Sequence, residues 1–298
     1  MRRLLQALVV LVTCSTPVPA QPIQSGGHYE YERLYRAGAE LDYELTTNRA
    51  LKIGDTVTLN SAKARSRHRV VLLEEVPHEL VAWLTYQELP DGSVRDVSAL
   101  KASTVSLHPS GQTEMAKPVG DAAMLGMVTD LVTFYVALGP KSGIARLRQV
   151  GDRAVGEAVT GDWTDGETFL VGQDKLAVEI ELTGLDDTQA YFETRFRPPP
   201  RASLEAYRPW MAVPVCEGEP NNWQMVRRQP SGYLAAWGCE EFTVRSTVER
   251  GTGRIVRATM SNDVVRNVRF CADEQLSSCH QAPQMKEHRD LELTLIHP

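Results

Sequence analysis

Basic charge is in short supply in this 298-residue sequence, where 32 lysines and arginines stand against 38 aspartates and glutamates, a formal charge of −6. If Arg2 and Arg3 leave with an N-terminal leader, 30 remain against the same 38, or −8. A mildly acidic chain without a basic run is a poor partner for nucleic acid or for an anionic membrane surface. Catalytic signatures are missing too: no G-x-S-x-G elbow, H-E-x-x-H pair, P-loop or dinucleotide fingerprint occurs. Ser98-Ala99-Leu100-Lys101 has the S-x-x-K form of penicillin-binding enzymes, but the companion K-T-G is absent and the segment reads as a strand. Glu74-Glu75 and Glu240-Glu241 are acidic pairs, but neighbours on a strand point to opposite faces and cannot share a proton. No C-x-x-C pair exists, and His280 directly beside Cys279 suits one metal ion poorly. No catalytic residue, metal or cofactor is therefore expected. Low-complexity blocks are also lacking, so the chain should fold.

What is present begins with a leader. Residues 1–20 combine Arg2 and Arg3, a short apolar run and the small-residue ending Val18-Pro19-Ala20. That is the pattern of a secretory signal, and the apolar run is too short to span a membrane. Residues 21–298 are then expected to form a single exported domain, periplasmic or secreted. Cys14 raises an outer-membrane lipoprotein alternative, which Thr13 before it fits poorly.

Four cysteines lie beyond the leader: Cys216, Cys239, Cys271 and Cys279. An even number in an exported chain suggests disulfides, and four cysteines allow three connectivities. The sequential pairing, Cys216 with Cys239 and Cys271 with Cys279, is the expected one.

The most apolar segment after the leader is 121–138, DAAMLGMVTDLVTFYVAL. Met124, Val128, Leu131, Tyr135 and Leu138 recur at steps of four and three, as one face of a helix does. Gly126, Thr129, Asp130 and Thr133 gather on another face, leaving a narrow polar stripe and a wide apolar one. Asp121 suits an N-cap, and Gly139-Pro140 a stop through a left-handed glycine followed by proline. The segment nearly suffices to span a thin membrane, where Asp130 would cost about 2.5–3.5 kcal/mol.

Strand patterns fill the flanks, about 37–107 and 154–297. Ala39, Leu41, Tyr43 and Leu45 alternate with Glu40, Asp42, Glu44 and Thr46, and Gly54-Asp55 marks a turn. Segments 56–60 and 62–76 follow, the second opening with Lys63, Arg65, Arg67, His68 and Arg69, which read as a solvated strand face. Leu176, Val178, Ile180 and Leu182 alternate, as do Ala190, Phe192, Thr194 and Phe196, before Pro198, Pro199 and Pro200 end the strand. Arg250-Gly251-Thr252-Gly253 is a compact hairpin connection. Short turns between neighbouring strands imply antiparallel pairing. The fold expected is α+β, mainly β: a large curved antiparallel sheet or incomplete β-barrel with one buried covering helix.

An exported chain of long antiparallel strands, a covering helix and a strand–G-T-G–strand hairpin resembles the LolA/LppX-type envelope carriers. That resemblance implies an open barrel with a helical lid and a lipid or lipoprotein cargo. It rests on strand pattern alone; the cysteines, the triple proline and the greater length depart from it. The aromatic set Trp163, Trp223 and Trp237, joined to the helix face Met124, Val128, Leu131, Tyr135 and Leu138, supplies candidate walls for an apolar cavity. The leading expectation is a non-catalytic envelope protein binding a lipid-like small molecule. The alternative is an assembly partner of another envelope protein, with a filled core and a protein-binding surface.

Overall fold

The alternation of Leu41, Tyr43 and Leu45 with Glu40, Asp42 and Glu44 builds β1 (Glu40–Ile53), buried on one face and wet on the other. The computed structural model describes residues 28–89, 91–98, 100–113, 122–157, 168–170, 178–196 and 206–297. The leader, Cys14, Asp121, Trp163 and the run 198–200 lie outside these. After the turn at Gly54, β2 (Thr56–Leu73) runs unbroken for 18 residues, so the two expected segments are one strand. Its outward residues meet the carboxylates of β1: Arg67 pairs with Asp42 at 2.7 Å, and Lys63 and Arg65 with Glu44 at 2.8 and 3.2 Å. Opposite charges facing each other across strands hold register more than they add stability. His68 departs from the expected solvated face. It is in phase with Ala62, Ala64, Ser66 and Val70 and is buried with them. Glu74 and Glu75 depart as well: both have positive φ, 49° and 67°, and form the turn into β3 (Val76–Leu89). Glycine and asparagine usually signal such a turn, so this one left no mark in the sequence.

The remaining strands are β4 (Val94–Arg95), β5 (Ser103–Val105), β6 (Arg153–Val155), β7 (Thr168–Leu170), β8 (Val178–Leu185) and β9 (Gln189–Phe196). They are followed by β10 (Trp223–Gln229), β11 (Gly232–Glu249), β12 (Ile255–Cys271), β13 (Cys279–Gln281) and β14 (Met285–His297). All pair antiparallel in one sheet, whose main path runs β4-β3-β2-β1-β14-β12-β11-β9-β8-β6, with β5 on β3, β13 on β12, and β10 on β11 carrying β7. The last strand sits between the first strand and β12, so β14 joins the two arms. The end strands β4 and β6 do not pair, and the sheet is not closed into a barrel. Cys216–Cys239 and Cys271–Cys279 form the two disulfides in the expected pairing. They fit a chain exported to an oxidising compartment.

The single α-helix among the described residues, α1 (Ala122–Ala137), reveals the curvature. Six strand steps separate β3 from β9, about 29 Å in a flat sheet at about 4.8 Å per step. A helix with its side chains is only about 10–12 Å wide. Yet Tyr135 reaches His68 on β2 and Glu79 on β3, while the Ala137 carbonyl accepts a 3.0 Å hydrogen bond from Thr194 Oγ1 on β9. The sheet must curl around the helix to offer both walls. Met124, Val128, Leu131, Tyr135 and Leu138 are all buried, as the spacing predicts. Met127, Val132 and Phe134 are buried too, while Val136 is exposed. Thr129 and Thr133 bond back to the carbonyls of Gly126 and Thr129 at 2.7 and 3.0 Å, which suits their half-buried stripe. Gly139 has φ −68°, not the left-handed value expected, so Pro140 alone enforces the stop. No helix among the described residues is long and apolar enough to cross a membrane.

An extended strap, residues 28–36, closes one end of the trough. Tyr29 and Tyr31 rest on Phe192 of β9, with ring centroids 5.9 and 6.1 Å away. Leu34 N–H donates to the Thr252 carbonyl at 2.9 Å. Arg33 binds Glu79 on β3, and Tyr35 Oη accepts the Leu107 N–H at 2.6 Å. The strap therefore ties β9, the β11–β12 turn and β3 together.

Candidate functional site

Two polar networks lie in the concave interior, and sequence reasoning identified neither. In the first, Arg33 of the strap grips Glu79 Oε1 with Nε at 3.2 Å and Nη2 at 2.6 Å. The other oxygen, Oε2, accepts the Tyr135 hydroxyl of the helix at 2.5 Å and lies 3.1 Å from His68 Nδ1. His68 Nε2 is 3.0 Å from Ser66 Oγ, and its ring leans on Tyr43 at 4.7 Å. Burial by itself would raise the Glu79 carboxyl, but Arg33, His68 and Tyr135 outweigh it and hold it at about 2. Tyr135 is pushed well above its ordinary value by burial and then by the Glu79 charge. A signal for these residues did exist. His68 shares its phase with buried Ala62, Ala64 and Val70, and Glu79 with buried Val81 and Trp83.

In the second network Arg289 Nη1 binds Asp130 of the helix at 3.0 Å, while its Nε and Nη2 donate to Asn262 Oδ1 at 2.8 and 2.6 Å. Glu287 pairs with Arg49 at 2.6 Å and Arg266 at 2.9 Å, and Asn262 Nδ2 donates to Glu240 Oε1 at 2.9 Å. Burial lifts Asp130 to about 6 even with Arg289 beside it, and raises Glu240 as well. Asp130 was expected on the polar stripe; it is buried instead, because β14 supplies a cation for it.

Chemically these networks bind the protein to itself. The side chains of His68 and Glu79 are sealed from water, and every cation of the second network has a carboxylate partner. No group of three or more His, Cys, Asp and Glu side chains among the described residues could hold a metal ion. Ser98 and Lys101 are exposed and non-helical, without the context their motif needs.

The helix residues nominated for a cavity converge, but they converge on packing. Val128, Leu131, Tyr135 and Leu138 share one core cluster with Leu41, Leu45, Leu293 and Phe192. Trp237 lies with Ala235 and Cys239 on odd positions of β11, the face opposite Val244 of that core. It packs edge-on against Trp210 at 4.8 Å, with Arg269 over the Trp210 ring at 4.3 Å. Trp223 is half-buried on β10 opposite Gly238. Two concavities among the described residues lie away from the helix. One of about 650 Å³ is lined by Tyr233, Phe270 and His280 near Cys271–Cys279, and one of about 270 Å³ crosses the outer face at Thr46, Thr259 and Arg245.

Comparison adds no family. No protein-family model matches this chain, and no curated protein matches it either. Among solved structures, OccK11 (OpdR) of Pseudomonas aeruginosa is 8% identical, covers 89% of this chain and 99% of its own, and has a TM-score of 0.20. A loop-deletion mutant of OmpT, an outer membrane protein of Vibrio cholerae, is 10% identical over 87% of this chain and 100% of its own, with a TM-score of 0.18. At such scores neither likeness bears on the fold. The outward face itself carries ion pairs, Arg257 with Glu292, Arg153 with Glu181 and Arg245 with Glu193, where a lipid-facing barrel wall carries an apolar band.

One group of exposed apolar side chains is gathered in one place. Val57, Leu59, Leu89 and Val94 are 57, 75, 37 and 72% exposed. Leu89 pairs with Ser61 and Val94 with Gln87, so all four fall on the outward phase of β2 and its neighbours, grouped at the end of the β1–β2 hairpin.

Proposed function

We propose that this chain is a non-catalytic exported protein of the cell envelope, periplasmic or secreted, that serves as an assembly partner. It has a filled core and a protein-binding surface at the β1–β2 hairpin. The observation that carries this reading is the apolar group Val57, Leu59, Leu89 and Val94, exposed together near the end of the β1–β2 hairpin on a sheet that also carries ion pairs outward. Exposed contiguous apolar side chains on a folded domain mark contact surfaces. A carrier of the LolA/LppX type needs an apolar cavity under its lid. Here the apolar stripe of the helix is taken up by packing, and Tyr135 and Asp130 pin the helix to both networks. Native mass spectrometry of the protein purified from its own source separates the two readings. Co-purification of a protein supports the assembly role. A lipid-sized mass alone would overturn it in favour of a carrier.

A further inference from the structure

The exposed hairpin has a second property, a strand edge that no other described strand covers. β2 pairs with β1 along its whole length, but β3 stops at Leu89 opposite Ser61, because the chain then turns and Gly92 N–H returns to the Glu88 carbonyl. Residues Thr56, Val57, Thr58, Leu59 and Asn60 thus outrun β3, and all five are exposed. Edge strands are ordinarily guarded by charge, proline or a bulge. This stretch has no charged residue and no proline, and its irregularity against β3 lies further on, at Arg65/Ser66.

Register decides which backbone groups are free. Ile53 and Thr56 flank a two-residue turn and face each other, so they exchange hydrogen bonds, as do Leu51 with Thr58 and Arg49 with Asn60. Val57 and Leu59, the alternate positions, therefore turn their N–H and C=O groups outward. We infer that this edge pairs with the same edge of a second copy of the chain, antiparallel and two-fold about Thr58. That inference rests on the assembly reading and names its partner.

The stretch is self-complementary in three respects. Val57 falls opposite the partner's Leu59, so the outward groups of both meet in hydrogen-bonded pairs, twice by symmetry. The apolar side chains then stand beside each other on one face, while on the other Thr58 meets Thr58 and Thr56 meets Asn60. Residues 56–60 of each copy span the five-residue window, and the partner's Gly54-Asp55 turn then falls opposite Ser61, against the end of β3. Two acidic chains can also approach here without opposing charges.

Cysteine cross-linking tests the register. Cα atoms in a non-hydrogen-bonded antiparallel pair are about 4.5 Å apart, within disulfide range. Thr58→Cys should give a disulfide-linked dimer on mild oxidation. Thr56→Cys or Asn60→Cys alone should not, since like positions lie about 14 Å apart along the strands. Mixing those two should give a linked heterodimer. Sedimentation of the mature protein should show a dimer that Val57→Lys with Leu59→Lys weakens at least tenfold, with an unchanged circular dichroism spectrum. A monomer at every concentration without the Thr58→Cys cross-link overturns self-pairing, as does equal linkage of all three single variants. If the protein is monomeric and a different co-purifying protein is lost in the double-lysine variant, self-pairing falls while the assembly reading stands. A lipid-sized mass with neither copy nor partner defeats both.

Discussion

At the scale of single residues, two carboxylates should give this protein opposite pH slopes. Glu79 is held at about 2, below its ordinary value, so its stabilisation is present above about 4.5 and lost as pH falls toward 2. The loss is on the order of 3 kcal/mol for a group so completely buried. Asp130 is raised to about 6, so its contribution is present below its unfolded value and lost as pH rises through 6. Urea unfolding of Glu79→Gln should lack the acid loss, and Asp130→Asn should gain on wild type between about pH 4 and 6. Parallel stability curves for wild type and both variants would refute these assignments. Glu79→Gln also leaves the strap's Arg33 without its buried partner, a change that typically costs about 3–5 kcal/mol.

Among the elements, the hairpin glycines and the helix face make contrasting predictions. Gly253 sits at φ +67°, and a Cβ there would lie 2.1 Å from the Glu32 carbonyl oxygen of the strap. A left-handed non-glycine residue alone costs about 1–3 kcal/mol, and the clash would lift the strap as well. Gly253→Ala should lower the thermal midpoint and expose residues 28–36 to limited proteolysis. Gly251→Ala, with open space around it, should do neither. On the helix, Leu131→Ala should cost about 2–5 kcal/mol, as for a fully buried leucine. Thr133→Ala should cost under about 1 kcal/mol, since its hydroxyl bonds only its own helix. Similar denaturation midpoints for these two variants would mean the helix face is misassigned.

For the whole molecule, β14 is decisive, because it is the strand that joins the N-terminal and C-terminal arms. Its partners on both sides, β1 and β12, are separated from each other by about two hundred residues of chain, so their association is a long-range closure. The intact protein should unfold in one calorimetric transition. Truncation before Met285 should abolish that transition for both arms, and a surviving transition of near-native enthalpy would show that one arm folds alone. The disulfides act more locally, closing sequence separations of 23 and 8 residues within the C-terminal arm.

Much of this architecture was legible in the chain itself. Period-two alternation along β1, β8 and β9 and the four-three spacing from Met124 to Leu138 are local patterns, and local sterics turn them directly into strands and a helix. Cysteine parity in a chain with an apparent leader pointed to disulfides for a similarly direct reason. The rest depended on distant residues meeting. Arg33 finds Glu79 from 46 positions away, and Arg289 finds Asp130 from 159. No local pattern encodes such a partner, even where, as at Glu79, the strand phase already marks the position as inward. The apolar helix stripe and the tryptophans likewise fit both cavity and core in sequence, because hydrophobic burial is non-directional. Only the tertiary structure placed Trp237 on the far face, packed the helix stripe into the core cluster, and left the edge of β2 uncovered by any other described strand where β3 turns away.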